Sequence, residues 1–421
     1  MTRPRVVVVG SGFGGIHAVR GLRDAPVDVV VVDRDNYHGF WPLLYQVATG
    51  GLAAEDIAHP IRSLFSGQDN ADIRLGMVAA LDAGRRQLIL EGQDPIGYDY
   101  LVLAAGSATA TFGVDGVAEH AHPLKTVPDA LRLRNHLLTR FERADADPSM
   151  VRAHGLDVVV VGGGPTGVEV AGAVTELVQR DLSREYRHLE PSAVHVTLVE
   201  MRDEVLTEFS SRSRARARKA LMARGVQLRL GTPIAAVRAG GVDLADGTTV
   251  EAGTVVWAAG VTPNPLAQRL GLPLAEDGGV QVGDDLSVPG HPEIFVIGDL
   301  ATTRERLPRL APVAIQGGRH AAVSITRRLE GKEPTRFRYR DKGTMATIGR
   351  RAAVAELPLR IRLAGTLGWL AWLGVHLVFL IGFRRRILVL VNWAWNYVTW
   401  ENGNRAIVTE DVHSPSGPER A

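Results

Sequence analysis

The chain has 421 residues, enough for two or three domains with full cores. Its 48 basic and 46 acidic residues leave a formal net charge of +2, which makes no electrostatic case for a nucleic-acid partner. Cysteine is absent, so disulfides, thiolate metal sites and any relay of electrons through a cysteine pair are excluded.

The first predicted unit, residues 5–33, reads strand, glycine turn, helix, strand. Its all-apolar run Val6 to Val9 fits a parallel strand buried on both faces, and a strand at that position argues against a signal peptide. Gly10, Gly12 and Gly15 follow in the G-x-G-x-x-G spacing, and the next strand ends on Asp33. Residues 73–103 read as short strands with turns at 82–84 and 91–92. They lead into YLVLAAGSA (100–108), a strand that stops at a glycine-containing segment. The polar residues 142–155, which include Pro148, read as a linker.

From residue 157 the pattern repeats. A second valine run precedes Gly162, Gly164 and Gly167, and Pro165 suits the first turn of a helix predicted to reach about residue 190. The following strand ends on Glu200, and TVVWAAGVT (254–262) closes the unit as YLVLAAGSA closed the first. The arginine-rich stretch 212–219 is predicted to be a solvated helix, because arginines two apart stand about 200° from each other around the axis. A further apolar strand, GHPEIFVIGDLA (290–301), ends at Gly298 and Asp299.

Each glycine has a steric task. The first makes the tight turn, the second lets the backbone approach a pyrophosphate, and the third lets helix and strand pack closely. The pyrophosphate then sits on the helix N-terminus, and the acid closing the next strand takes ribose hydroxyls. Two such units on one chain point to electrons passing between two nucleotides.

Five of the seven tryptophans fall late, at 369, 372, 393, 395 and 400. The uncharged run 367–383 would make a helix of about 26 Å, short of a hydrocarbon core of about 30 Å. Arg384, Arg385 and Arg386 follow, and then an apolar stretch carrying Asn392, Asn396 and Thr399 as one polar stripe. The expectation is a helix lying in a membrane interface, with tryptophans at headgroup depth and arginines snorkelling to phosphates. The alternative is a pair of core or dimer-interface helices.

The order of these parts resembles the two-dinucleotide-domain flavoproteins. That resemblance assigns FAD to the first unit, with Gly10, Ser11, Gly12, Phe13, Gly14, Gly15, Asp33, Arg34, Val78, Ala105, Gly106, Gly298 and Asp299 around it, and Asp299 on the flavin's ribityl chain. It assigns NADH to the second, with Gly162, Gly164, Pro165, Thr166, Gly167, Glu200, Ala259 and Gly260. Glu200 favours NADH because a carboxylate repels a 2′-phosphate, although Arg202 stands near enough to pair with one.

The segment DNYHGFWPLLYQVATGGL (35–52) is similar to a stretch of the type II NADH dehydrogenases, the non-proton-pumping NADH:quinone oxidoreductases. GGGPTGVEVAG (162–172), LAPVAIQGGRHAA (310–322), KGTMATIGRRAAVAE (342–356) and residues 375–397 resemble the same family, in order and over nearly the whole chain. Gly39 and Trp41 depart from its common pattern. The resemblance implies FAD, NADH, a membrane quinone and peripheral attachment at the cytoplasmic face of a bacterial plasma membrane. It gives Glu169 a role at the flavin–nicotinamide contact, with a helix-dipole carboxylate as the bland alternative. Gln316, Lys342 and Gln46 become quinone-site candidates.

The fold expected is α/β, with two Rossmann-like dinucleotide-binding domains and a C-terminal membrane-associating helical segment. The divisions are 1–120 and 276–345 for the two parts of the FAD domain, 121–156 for a connecting helix and linker, and 157–275 for the NADH domain. A membrane-associating region follows at 346–405, then a disordered tail at 406–421. Competing functions are a soluble NAD(P)H-dependent flavin reductase feeding an electron-transfer protein, and a flavin/NADH redox sensor at the membrane. Sulfide:quinone oxidoreductases rely on active-site cysteines, which this chain lacks. Ubiquinone against menaquinone, and monomer against homodimer, stay open.

Overall fold

The computed structural model describes residues 3–182, 185–186, 189–380, 382–399 and 404–407. The elements that position the site run, in chain order, β1 (Arg5–Val9), α1 (Phe13–Gly21), β2 (Asp28–Asp33), β3 (Ala71–Leu75), β4 (Tyr100–Leu103), β5 (Ser107–Thr109) and α2 (Val127–Ala146). The second unit adds β6 (Val158–Val161), α3 (Pro165–Glu176), β7 (Val196–Glu200), α4 (Ser211–Met222), β8 (Val226–Leu230), β9 (Thr254–Trp257) and β10 (Val261–Pro263). The chain then returns to the first with β11 (Ser287–Val288), β12 (His291–Val296) and α5 (Ala311–Leu329).

The valine runs form strands because β-branched side chains suit a pleat packed on both faces. Every residue of β6 is buried, as are Val6 to Val9 of β1. The first sheet has the order β11-β12-β4-β1-β2-β3, and all its neighbours are parallel except β11 and β12. The second has β9-β6-β7-β8, extended beyond β9 by the short strand His122–Pro123, and is parallel throughout. In both, the first strand lies at the centre and its glycine loop sits at the carboxyl edge, where doubly wound sheets bind ligands.

A third layer closes the chain. Strands β13 (Thr344–Gly349), β14 (Ala352–Leu357) and β15 (Ile361–Ala364) form an antiparallel sheet, followed by α6 (Gly365–Phe379) and α7 (Phe383–Thr399). It packs on α3 at close range: a Cβ added to Gly172 would stand 2.0 Å from the Ile348 carbonyl oxygen. Residues 40–57, part of the expected FAD domain by chain position, pack their apolar side chains into this same core, with Trp372 and Trp393.

Several local expectations change. The linker at 142–155 is mostly helical, with residues through Ala146 continuing α2 and Ser149–Arg152 forming another turn. α2 runs on because its buried positions, through Phe141 and Ala144, keep helical spacing beneath the polar residues. The helix opened by Pro165 stays α-helical only to Glu176, then widens into a π-helical turn at Leu177–Leu182. It changes where Glu176 accepts the Arg350 N–H at 2.7 Å and faces the Arg224 guanidinium. The arginine-rich 212–219 does form an exposed helix, α4.

The tail departs most. Trp369, Trp372 and Trp393 are 9%, 1% and 3% exposed, so these three indoles fasten α6 and α7 to the protein instead of lying at headgroup depth. The Arg386 Nε donates to the Leu380 carbonyl at 2.7 Å, capping α6 rather than reaching outward. Asn392 of the polar stripe turns inward to donate to Asp56 at 3.2 Å. Among the described late tryptophans only Trp395 is exposed, together with Leu367, Leu370, Val378, Phe379, Ile387, Leu388, Leu390 and Val391. Among the described residues no helix is long and apolar enough to cross a membrane. The side chains of Arg384, Arg385, Asn396 and Thr399, the residue Trp400, and the expected disordered tail from residue 408 onward lie outside the described residues.

The close approach at Gly172 makes a direct prediction. Gly172→Ala forces its methyl into the Ile348 carbonyl, and overpacking of this kind costs about 1–3 kcal/mol. A thermal melt should show a lower Tm with easier proteolysis of the C-terminal layer. An unchanged Tm would contradict the packing described.

Candidate functional site

A cleft of about 430 Å³ runs along the carboxyl edge of the first sheet. Its wall includes Gly10, Ser11, Gly12, Phe13, Gly14, Asp33, Arg34, Val78, Ala105, Gly106, Gly298 and Asp299, so twelve of the thirteen residues expected around FAD converge on it. The thirteenth, Gly15, lies beneath, where a Cβ would stand 1.8 Å from the Gly10 carbonyl oxygen. By contrast, a Cβ on Gly12 would meet nothing within 4 Å, and that open space is where a pyrophosphate can approach the backbone. The Asp33 carboxylate accepts from the Ser11 N–H and hydroxyl, each at 2.6 Å, which ties strand tip to loop. Burial pushes its pKa up, while the hydrogen bonds from Ser11 and Asp35 pull it back.

His38 supplies a second test of fit. Its Nδ1 lies 2.9 Å from the Ser11 carbonyl, an acceptor, so Nδ1 carries the proton. Burial lowers its pKa to about 4, leaving the ring neutral at pH 7 with Nε2 as a bare acceptor. Nε2 is buried without a hydrogen-bond partner, and His38 lines the cleft. A ligand rich in hydroxyls, such as FAD, suits that vacant acceptor.

The second glycine loop repeats the first. The Glu200 carboxylate accepts the Gly163 N–H at 2.5 Å through one oxygen and the Arg202 N–H at 2.9 Å through the other. Gly162 packs on Ala258 and Ala259, Gly167 packs on the Gly162 carbonyl, and Gly164 faces open space. Gly260 takes a positive φ of 117° at the end of β9, beside the Phe112 ring. The exposed Arg202 guanidinium donates to the Thr207 hydroxyl at 2.6 Å.

The two half-sites meet. Thr166, one residue past Pro165 in the second loop, lines the first cleft, and so does Asn264. β5 pairs antiparallel with β10, joining the ends of the two repeated units. Glu169 lies one helical turn beyond Thr166 on the same face of α3. It is buried and accepts the Thr347 N–H at 3.3 Å. Burial pushes its pKa up to about 8, opposed by that N–H and by the adjacent Trp372 indole, whose Nε1 falls short of a geometric hydrogen bond.

The quinone candidates divide into two places. Gln46 is buried against the C-terminal helices, donating to the Tyr45 hydroxyl at 2.9 Å and accepting the Trp393 Nε1–H at 2.8 Å. Trp393 is 6.0 Å from Trp372 between ring centroids, which puts Gln46 and Glu169 beside the same aromatic cluster. Gln316 lies elsewhere on α5, exchanging hydrogen bonds with the Arg340 backbone at 2.9 and 3.0 Å. Lys342, two residues further, is exposed. Neither Gln316 nor Lys342 lines the cleft.

Residues 4–318 match the pyridine nucleotide-disulphide oxidoreductase family, and residues 342–399 match the NDH2 C-terminal domain. The Type II NADH:quinone oxidoreductase Ndh of Mycobacterium tuberculosis is 39% identical over 432 residues, covering 97% of this chain and 91% of the relative. The chain belongs to the type II NADH:quinone oxidoreductase family. A second such protein of Mycobacterium tuberculosis, NdhA, is 38% identical, with 98% of this chain and 91% of that relative covered. The structure of NDH2 from Plasmodium falciparum in complex with NADH shares the fold with a TM-score of 0.89 at 18% identity, covering 97% of this chain and 100% of that one. Cysteine being absent, this type II chain has no disulphide to match the wider family's name.

Sequence reasoning missed His38, Ser107, Lys125, Asn264 and Arg309 in the cleft wall. The rarity of lysine, four among 48 basic residues, was the one signal available for Lys125.

Glu169 gives a pH prediction. A carboxyl whose folded pKa is raised holds its proton more tightly when folded. Its contribution to stability is therefore complete below pH 4.5, its ordinary value, and is lost as the pH rises to about 8. Glu169→Gln should remove that loss, so the variant gains stability relative to the parent between pH 5 and 8.5 in urea titrations. A constant difference across that range would contradict a buried, proton-holding Glu169.

Proposed function

We propose that this chain is a flavin-dependent NADH:quinone oxidoreductase that works on a membrane surface without pumping protons. The observation that carries the reading is the meeting of the two half-sites, with Thr166 of the second loop in the wall of the first cleft. When bound, FAD supplies a hydride acceptor that can release its electrons to a second substrate. The α1 loop and Asp33 would hold its adenosine half, Asp299 its ribityl chain, and the second loop with Glu200 would hold NADH. The fixed relation of the two loops supplies orientation, which is the protein's main contribution to hydride transfer.

Glu169 carries a proton at neutral pH and so suits a donor role toward a reacting oxygen or the nicotinamide carboxamide. As a neutral carboxyl it is poorly suited to the alternative role of a charge compensating the helix dipole. Gln46 bonds Trp393, which packs on Trp372, and is the candidate to border a quinone path. For Gln316 a role at a quinone entrance would require the Arg340 contact to open, whereas Lys342 is already exposed.

The outer faces of α6 and α7 carry the exposed apolar side chains, a pattern suited to insertion at headgroup depth. Attachment to the cytoplasmic face of a bacterial plasma membrane accords with this reading, and a homodimer through the same faces is its competitor. The two are separable: Leu370→Lys with Val378→Lys should abolish flotation with lipid vesicles while the chain remains monomeric on sizing. A soluble dimer that these substitutions split would overturn the membrane reading. The activity itself is tested by steady-state NADH oxidation with purified protein. We expect a yellow protein whose turnover rises at least tenfold when a short-chain quinone is added; turnover indifferent to quinone would favour a flavin reductase or a sensor.

A further inference from the structure

We propose that Lys125 is the working cation of the flavin cleft, a half-buried ammonium held toward the bound cofactor that draws its electron equilibrium toward the reduced form. The inference rests on the flavin reading of the cleft and goes beyond it by naming the residue that sets the cofactor's electron affinity.

Four strongly basic side chains line the cleft: Arg34, Lys125, Arg269 and Arg309. Three are committed to a carboxylate of their own. Arg34 pairs with Asp35 at 3.3 Å, Arg269 with Glu91 at 3.6 Å and Arg309 with Asp277 at 2.6 Å. Lys125 has no such direct partner. Its Nζ donates to the Ser107 hydroxyl at 2.7 Å, and that hydroxyl donates to Asp299 Oδ2 at 2.6 Å. The ammonium thus reaches its counter-charge only through an intervening hydroxyl. It has three protons to give and Ser107 accepts one.

The placement is rigid. Lys125 immediately precedes Thr126, the N-cap of α2, and Asp129 accepts both the Lys125 N–H at 3.2 Å and the Thr126 N–H at 2.8 Å. The capping box fixes the backbone from which the side chain enters the cleft. The other three lysines, Lys219, Lys332 and Lys342, are all exposed. Burial pulls the Lys125 pKa down, and the opposing pull comes from Asp299, the residue that the family resemblance places on the ribityl chain.

The chemistry follows from charge balance. A hydride brings two electrons and one proton from NADH, which leaves as the oxidised nucleotide, so the cleft gains one negative charge. An ammonium already in place in the cleft stabilises that charge without the reorganisation that solvent would need. Once quinone has taken two electrons and two protons, one of them from solvent, the added charge is gone and the Lys125–Ser107–Asp299 chain is again balanced. Arginine could supply the charge, but its planar fork would seek a bidentate carboxylate; the compact ammonium fits a single hydroxyl.

The test is a redox titration of the bound flavin, followed by absorbance, in the parent protein, Lys125→Met and Lys125→Arg. If the parent purifies without flavin, the flavin reading of the cleft fails before the proposal is reached. Given a flavin-bound parent, Lys125→Met should shift the oxidised-to-reduced ratio at fixed potential by at least tenfold toward oxidised, about 30 mV for a two-electron couple. Lys125→Arg should recover most of that shift. Equal potentials in parent and Lys125→Met, or equal shifts in both variants, would overturn the proposal. Flavin lost from Lys125→Met but kept by Lys125→Arg supports the charge requirement, and loss from both refutes it. Should Lys125→Met fail to fold, Lys125→Gln, which keeps a donor to Ser107 without the charge, is titrated under the same criteria.

Discussion

β5 and β10 pair antiparallel, Ser107 opposite Pro263, Ala108 opposite Thr262 and Thr109 opposite Val261, and this short ladder sets the relation between the two nucleotide sites. Each strand follows the glycine-containing segment that closes its own unit, so the ladder ties the equivalent ends of two similar sheets to each other. Asn264 reinforces it, its N–H donating to the Gly106 carbonyl at 3.0 Å and its side chain to the Ala105 carbonyl at 3.1 Å. The Trp257 indole adds a further bond to the Ala110 carbonyl at 2.7 Å. Hydride transfer requires reacting atoms about 3–3.5 Å apart. Two independently mobile nucleotide domains would meet that requirement only rarely; two domains bridged at their loop ends can hold it.

The third layer depends on the same economy of backbone contact. Gly172 lets α3 reach β13, which puts the Thr347 N–H on Glu169 and buries that carboxyl. From the other side, residues 35–52 run from the cleft wall at Tyr37 to Pro42 into the core beside Trp372 and Trp393, where Gln46 joins them. Aromatic side chains of this size bury about 150–250 Å² each, enough to hold two apolar helices against the body. Their inner faces are thereby spent on the fold, and what they leave outside is a set of exposed apolar side chains on both helices.

The nucleotide sites were legible because their chemistry is written in local steric demands. A positive φ at Gly10 and Gly162, a close approach at Gly15 and Gly167, and an acid at each strand tip all fall at fixed spacings. The tail was legible only in part. α6 is apolar on both faces, and periodicity cannot say which face meets protein, so Trp369 and Trp372 were read outward when they point inward. Arg386 and Asn392 misled for a related reason: their partners, the Leu380 carbonyl and Asp56, are set by the tertiary fold. Lys125 lies 18 residues past Ser107 and Asp299 lies 192 past it, and no spacing rule joins residues that only the folded loops bring together.

The central claim is that one molecule takes electrons from NADH into its own flavin and passes them to a quinone. Double-mixing absorbance spectroscopy on purified protein tests it most directly. The account predicts that NADH bleaches the flavin band within the time of one turnover, and that a quinone mixed in afterwards, with oxygen excluded, restores it fully. A band that NADH leaves unchanged, or that stays bleached in the presence of quinone, would contradict it.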